Sequence, residues 1–315
     1  MKERDIIDLI KNRFKYTSDD IIIGPGDDCA VIDLGCSDYI LVSVDDMVDG
    51  THFISSFLKP CEIASRFVRV NLSDIYSMGN AVPKWCLVSM GLNQSVGDAW
   101  IKSFLKSLKN ELDFYNVKNI GGNLVRSPVL FLSMNVFGNL DKNGVVMRKG
   151  AKKGDLICIV GKTGFSSAAV DLMRKKKRNK LTYNEQKIID MFSKPHIYPD
   201  ISKKVYHYAT TMIDNSDGIF KTLEVLCDEN NLMAVCDMNS ILKTASECVI
   251  NYYSDKNELV SALLTSDDYN LVFSISESDY KKIADSRIKV IGHFEKGSGV
   301  KICGYEGKAE TFEHF

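Results

Sequence analysis

The sequence predicts an α+β protein of two domains: an N-terminal mixed α/β domain over residues 1–145 and a C-terminal α/β sandwich domain over residues 146–315. Three observations carry this. The chain has 315 residues, enough for one large domain or two ordinary ones. Strand-like and helix-like periodicities alternate in both halves, which fits two mixed halves better than one doubly wound parallel sheet. Between them, residues 138–155 are polar and punctuated by Gly138, Gly144, Gly150 and Gly154, the composition of a boundary.

In order along the chain, residues 3–14 read as a short helix, followed by a loop holding Gly24, Pro25 and Gly26. Stretches 30–33 and 39–44 read as strands, with Gly35-Cys36-Ser37-Asp38 as the turn between them. Ile63, Ala64, Phe67, Val68 and Val70 recur at helical spacing within 59–78. A strand is predicted at 85–92, and an amphipathic helix at 96–115 with Trp100, Ile101, Phe104, Leu105 and Leu108 on one face. Ile120 leads into Gly121-Gly122, read as a strand end, and 129–137 is a strand. Beyond the boundary, strand 156–160 runs into a turn and a helix from 166. That helix ends in Arg174-Lys175-Lys176-Lys177-Arg178, a solvated end favoured by the helix dipole or, less simply, a nucleic-acid patch. Helices follow at 183–192 and 201–208, with Pro195 and Pro199 as breaks. Strand 211–213, helix 219–230, strand 271–275, helix 277–284 and strand 290–293 complete the pattern.

Hydrophobic residues make up 45% of the chain and charged residues 26%, as in soluble globular proteins. The net charge of −1 gives no reason to expect nucleic acid or an anionic membrane as partner. No apolar run approaches the roughly 20 residues of a membrane span, and Met1-Lys2-Glu3-Arg4-Asp5 opens a charged helix, unlike a signal peptide. Nine scattered cysteines, with no C-x-x-C, read as reduced buried thiols and not as disulfides or a zinc site. The expected compartment is the cytoplasm.

The chemistry is carried by short Asp-rich motifs at the ends of apolar runs. Gly24-Pro25-Gly26-Asp27-Asp28 joins a permissive loop to two adjacent acids, which cannot both be buried cheaply without a cation; an exposed turn is the alternative. Ser43-Val44-Asp45-Asp46 delivers two acids at a strand end, or else forms a hairpin turn. Asn71-Leu72-Ser73-Asp74 places poor helix formers within or near the end of a helix, as a functional cluster or as a cap. Asp214-Asn215-Ser216-Asp217-Gly218 separates a strand from a helix, with a helix cap at Asp217 as the plainer reading. Ser266-Asp267-Asp268-Tyr269 precedes another strand. Clustered carboxylates without His or Cys suit magnesium and phosphates. Gly161-Lys162-Thr163-Gly164 lacks the order of a phosphate-binding P-loop and reads as a strand-to-helix turn. His52 alone reads more simply as a structural polar residue than as a ligand.

Taken together, the motifs resemble the thiamine-monophosphate kinase family of the aminoimidazole-ribonucleotide-synthetase-like superfamily. The elements are Gly24 to Ala30, Val44-Asp45 with Gly50 to Phe53, Asn71 to Gly79, Arg148 to Asp155 and Asp214 to Gly218. The resemblance runs from about Asp19 to Phe273. It implies an N-terminal domain that pairs with its copy through its sheet in a homodimer, and ATP with several Mg2+ ions in the cleft between domains. By position it implies Asp28, Asp45, Asp74, Asp214 and Asp217 as metal ligands, with an oxygen from Ser43. Asp45, Asp74 and Asp214 would be the catalytic core of that set. Arg148 and Ser216 would meet ATP phosphates, Gly122 and Asn123 the nucleotide and one metal, and His52 and Asp267 the acceptor.

The sequence also departs from the family. Asn123 stands where a metal-binding Asp is usual, Asp46 where a Thr is usual, and Thr265-Ser266-Asp267 where Gly-Gly-Glu is usual. A Trp common near the C-terminus is missing. The implied activity is ATP-dependent phosphorylation of thiamine monophosphate. A related kinase with another small acceptor, and a degenerate nucleotide-binding protein, are the alternatives.

Overall fold

The computed structural model describes residues 3–14 and 18–305. Met1 and Lys2, read above as the start of the first helix, lie outside the described residues. The first sheet is built from α1 (Glu3–Arg13), β1 (Ile21–Ile23), β2 (Ala30–Ile32), β3 (Asp38–Val48), α2 (Pro60–Tyr76), β4 (Gly79–Leu92), α3 (Asp98–Phe114), β5 (Lys118–Arg126) and β6 (Phe131–Val145). Its strand order is β1-β2-β3-β6-β4-β5, antiparallel except for the β4/β5 pair. The second sheet uses β7 (Leu156–Val160), α4 (Phe165–Lys175), α5 (Tyr183–Ser193), α6 (Pro199–Val205), β8 (Ala209–Asp214), α7 (Ile219–Asn230), β9 (Leu232–Asp237), α8 (Met238–Leu242), α9 (Glu247–Tyr252), α10 (Lys256–Thr265), β10 (Leu271–Ile275), α11 (Glu277–Tyr280), β11 (Ile288–Lys296) and β12 (Gly299–Cys303). It runs β12-β9-β11-β7-β10-β8, with only β12/β9 parallel. Two largely antiparallel sheets, each with helices packed on it, make the α+β class.

Helix α2 organises the site. Pro60 suits its first position, and the Glu62 carboxylate accepts the Lys59 N–H (2.7 Å). Ile63, Ala64, Phe67, Val68 and Leu72 bury a full apolar stripe. The last two turns carry Asn71, Ser73, Asp74 and then Ser77, all facing other segments. Asn71 donates to the Phe67 carbonyl (2.9 Å) and accepts the Asp45 N–H (3.2 Å), tying the helix to β3. The poor helix formers therefore serve contacts outside the helix.

Several expectations are corrected. β3 continues through Asp45 and Asp46 to Val48, so the pair lies within a strand. Strand alternation then sends Asp45 to the α2 side, with buried Ser43 and Met47, and Asp46 to the opposite side. β4 begins at Gly79, six residues before the expected start, because irregularities at 79/81 and 83/85 let Pro83 sit inside a strand. Gly121-Gly122-Asn123 lies inside the edge strand β5 and does not end a strand. Pro199 starts α6 and does not break it. α10 was not legible because Leu259, Val260, Ala262, Leu263 and Leu264 bury it nearly all round, which erases the helical stripe. All nine cysteines are free thiols, but not all are buried: Cys36 and Cys303 are exposed, and Cys61 and Cys248 half-buried. Among the described residues no helix is long and apolar enough to cross a membrane.

Candidate functional site

Three carboxylates from three segments meet between the two sheets. Asp28 comes from the loop before β2, Asp74 from the last turn of α2, and Asp214 from the end of β8. One oxygen of each lies within 4.8 Å of the others. Asp28 and Asp214 are buried and Asp74 is half-buried.

Each acid is held by its neighbours. Ser43 Oγ donates to Asp74 Oδ2 (2.6 Å), and Ser77 Oγ donates to Asp28 Oδ2 (2.6 Å). Arg148 Nε donates to Asp28 Oδ1 (3.0 Å), joined by its Nη2. Asp27 accepts the Asp28 N–H (2.9 Å) and the Arg148 N–H (3.1 Å), so it fixes the loop against the 148 backbone. Both carboxylate oxygens of Asp214 are buried without a well-formed hydrogen bond, although the hydroxyls of Ser73 and Ser216 lie near enough to ease its charge.

Burial and mutual repulsion dominate the electrostatics. Burial, then the Asp28 charge, pushes Asp214 up to about 7. Asp74 is driven well above the usual carboxylate range by burial and by Asp214, Asp45 and Asp28. Burial and Asp28 raise Asp27 to about 6, against the pull of Arg148. Burial raises Asp45 to about 6, opposed by the Asp46 N–H and by Arg66. Such a group resists full ionisation until a cation arrives. All-oxygen donors, two of them orphaned on Asp214, fit a hard divalent cation such as Mg2+.

Other expected site residues are distributed around this centre. Asp45 is half-buried, its charge helps to raise Asp74, and it in turn feels the charge of exposed Asp217. Ser216 is half-buried beside Asp214. His52 accepts the Val48 N–H at Nδ1 (3.0 Å) in the turn after β3. Asp267 pairs with Arg66 (2.8 Å). Gly122 and Asn123 lie away from the carboxylates, on exposed β5. A Cβ at Gly122, whose φ is +153°, would fall 1.7 Å from the Val88 carbonyl oxygen, so β4 itself demands glycine there.

Sequence reasoning did not single out Arg66, Ser77 or Asp27 in these roles. The one available signal for Arg66 was a cation interrupting the apolar stripe of α2. Asp268, adjacent to Asp267, turns the other way. It accepts Gly164 N–H (2.5 Å) and Ser166 N–H (2.9 Å) and caps α4.

Known proteins resemble this chain in sequence and in fold. The family model described as AIR synthase related protein, N-terminal domain, matches residues 26–140. A thiamine-monophosphate kinase of Buchnera aphidicola subsp. Acyrthosiphon pisum is 31% identical over 87% of this chain and 83% of its own. The chain belongs to the thiamine-monophosphate kinase family. The family member of Escherichia coli K12 is 30% identical over 84% of this chain and 80% of its own. The family member of Aquifex aeolicus is 27% identical over 99% and 98%. Among solved structures, one described as AaThiL complexed with AMPPCP and TMP superimposes with a TM-score of 0.88 at 26% identity, covering 100% of this chain and 97% of that one. The hydrogenase maturation protein HypE of E. coli shares the fold, with a TM-score of 0.68 at 14% identity and 98% and 96% coverage.

Proposed function

We propose that the protein transfers the γ-phosphoryl group of ATP to the phosphate of thiamine monophosphate, forming thiamine diphosphate. The observation that carries this reading is the convergence of Asp28, Asp74 and Asp214 from both sheets in a member of this family. The likeness to a structure described with an ATP analogue and TMP supports it.

The acceptor oxygen belongs to a phosphate that is already anionic at neutral pH, so no strong general base is needed. Catalysis is then positioning and charge neutralisation. Asp28, Asp45, Asp74, Asp214 and Asp217, with Ser43, would hold Mg2+, which when bound supplies charge neutralisation on the phosphates. Arg148 and Ser216 face the donor phosphates, and His52 and Asp267 the acceptor. Because its Nδ1 accepts the Val48 N–H, His52 in its neutral form carries its proton on Nε2.

A homodimer completes this reading. The face of the first sheet opposite α2 leaves Val44, Val82 and Trp85 substantially exposed, and β5 is exposed along its length. Asp46 pairs with Ser133, Ser133 with Ser89, and Ser89 with Asn123. Asn123 therefore shares the face of Asp46, opposite Asp45, and lies about 14 Å from β3 at roughly 4.8 Å per strand. In this reading Asn123 and Gly122 serve the site of the second copy. The free cysteines suit a reducing compartment, the cytoplasm.

A coupled assay with ATP, Mg2+ and thiamine monophosphate tests the proposal, with thiamine diphosphate as the expected product. ATP turnover only with a different small acceptor, or nucleotide binding without turnover, would replace it. The Asp74→Ala variant is expected to lose about three orders of magnitude in turnover, the scale of removing a central charge-stabilising group. Near-normal turnover at saturating Mg2+ would sink the ligand assignment.

A further inference from the structure

Arg66 is 2% exposed, a cation almost wholly withdrawn from water. It lies on α2 eight residues before Asp74, about 12 Å along the helix. Its charge also reaches Asp45 of the first half, but its hydrogen-bond and ring partners come from the other half of the molecule. Nη1 donates to the Phe192 carbonyl at the end of α5 (2.9 Å), and Nη2 donates to Asp267 Oδ2 (2.8 Å). The guanidinium lies over the Phe192 ring, 3.8 Å from its centroid, and 5.3 Å from that of Tyr269.

The loop it grips is strained and is wired to Asp214. Tyr269 has φ +56°, a backbone conformation that bulky residues rarely adopt. Its N–H donates to the Asn215 carbonyl (3.0 Å), and the Asn215 N–H donates to the Asn270 carbonyl (2.9 Å). The Asn215 side chain donates to the Ser266 carbonyl (3.0 Å). A continuous path thus runs from α2 through Arg66 to the 266–270 loop, and from that loop to the residue next to Asp214.

We propose that Arg66 is a positioning residue that sets the register between the two halves of the carboxylate cluster, holding Asp214 of the second sheet against Asp28 and Asp74 of the first while presenting Asp267 to the acceptor. This rests on the phosphotransfer reading for the cluster being a cation site. Arg is suited to the task because one planar fork serves a carbonyl and a carboxylate at once, whereas Lys offers a single point charge.

The test measures Mn2+ binding to the full-length, nucleotide-free protein by calorimetry, together with kcat and KM for thiamine monophosphate. Arg66→Met is expected to weaken Mn2+ binding about tenfold or more, the scale of losing a charge-assisted hydrogen bond. Arg66→Lys is expected to recover part of the loss, and Asp267→Asn, at the half-exposed end of the pair, to weaken binding severalfold and raise KM more than it lowers kcat. Leu172→Ala in the core of α4 supplies the comparison, with lowered melting temperature and unchanged Mn2+ affinity. Folded Arg66→Met with Mn2+ affinity within about twofold of the parent would overturn the proposal; if that variant does not fold, parent-like affinity in both Arg66→Lys and Asp267→Asn would do so. Tight Mn2+ binding by the parent without thiamine monophosphate turnover would instead remove the functional reading and leave the role of Arg66 standing.

Discussion

Arg148 directs both Nε and Nη2 to a single oxygen of Asp28, Oδ1, while the other oxygen of that carboxylate accepts from Ser77. The guanidinium is the only side-chain cation paired with this buried acid among the described residues. Arg148→Met should therefore leave Asp28 unpaired beside Asp74 and Asp214. Breaking a buried pair in this way costs about 3–5 kcal/mol. The expected outcome is a marked fall in melting temperature in chelator, largely restored by millimolar Mg2+, with a raised KM for ATP. Equal losses with and without Mg2+ would show that Arg148 supports the fold independently of the carboxylates.

Asp268 makes a prediction that separates it from its neighbour Asp267. It caps α4 through the Gly164 and Ser166 N–H groups and is itself buried, with burial raising it to about 6. Asp268→Ala should cost about 1–2 kcal/mol, the usual price of a lost helix cap. Urea denaturation should show a lowered midpoint with KM for both substrates nearly unchanged. A selective loss of acceptor affinity would place Asp268, and not only Asp267, at the substrate.

The motifs themselves were legible because each couples a small-residue turn to an apolar run, and the turns at 24–28 and 214–218 did bring Asp28 and Asp214 together. Asp74 was legible as a violation of helix propensity. Tertiary partners were not. Nothing local indicates that Ser77 would reach back to Asp28, or that Arg66 would cross to Asp267, 201 positions away. The location of Asn123 depended on strand order, since β5 pairs with β4 at the edge of the sheet while β6 intervenes before β3. β1, β12, α8 and α9 were missed because they are only three to six residues long. α10 is buried on several faces, and β9, although its burial alternates, reads Leu-Met-Ala-Val-Cys with apolar residues on both faces, so in both the hydropathy period that marks an amphipathic element is absent.

The raised carboxylates give a pH signature with a definite sign. Asp214 titrates at about 7 in the folded protein against 3.8 as its ordinary value, and Asp27 and Asp45 at about 6. The folded state therefore binds more protons than the unfolded state between about pH 4 and 7. Stability of the metal-free protein from these groups is present at the acidic end and lost as pH rises through 6 to 7. A cation competes with those protons, so its affinity should rise over the same interval. Melting temperatures in chelator should fall from pH 5.5 to 7.5, and the increment produced by Mg2+ should grow. A Mg2+ increment independent of pH would mean that the cluster is ionised throughout.

Asn123 offers the most specific variant. It is exposed on β5, and its Oδ1 accepts the neighbouring Leu124 N–H (3.0 Å), a contact that aspartate can keep. Asp46 is on the same sheet face, but Ser133 and Ser89 stand between the two positions. At about 14 Å the added charge would lie beyond the screening length of roughly 8–10 Å in physiological salt, so repulsion within one chain should be slight. Asn123→Asp should thus fold normally. If the position adds a ligand oxygen to the site of a second copy, the variant should keep or raise turnover and lower the Mg2+ concentration needed for half-maximal rate. Abolished turnover in a folded variant would show that the local charge balance has been rebuilt around Asn123. Unchanged Mg2+ dependence in a folded, active variant would remove this face from the nucleotide site.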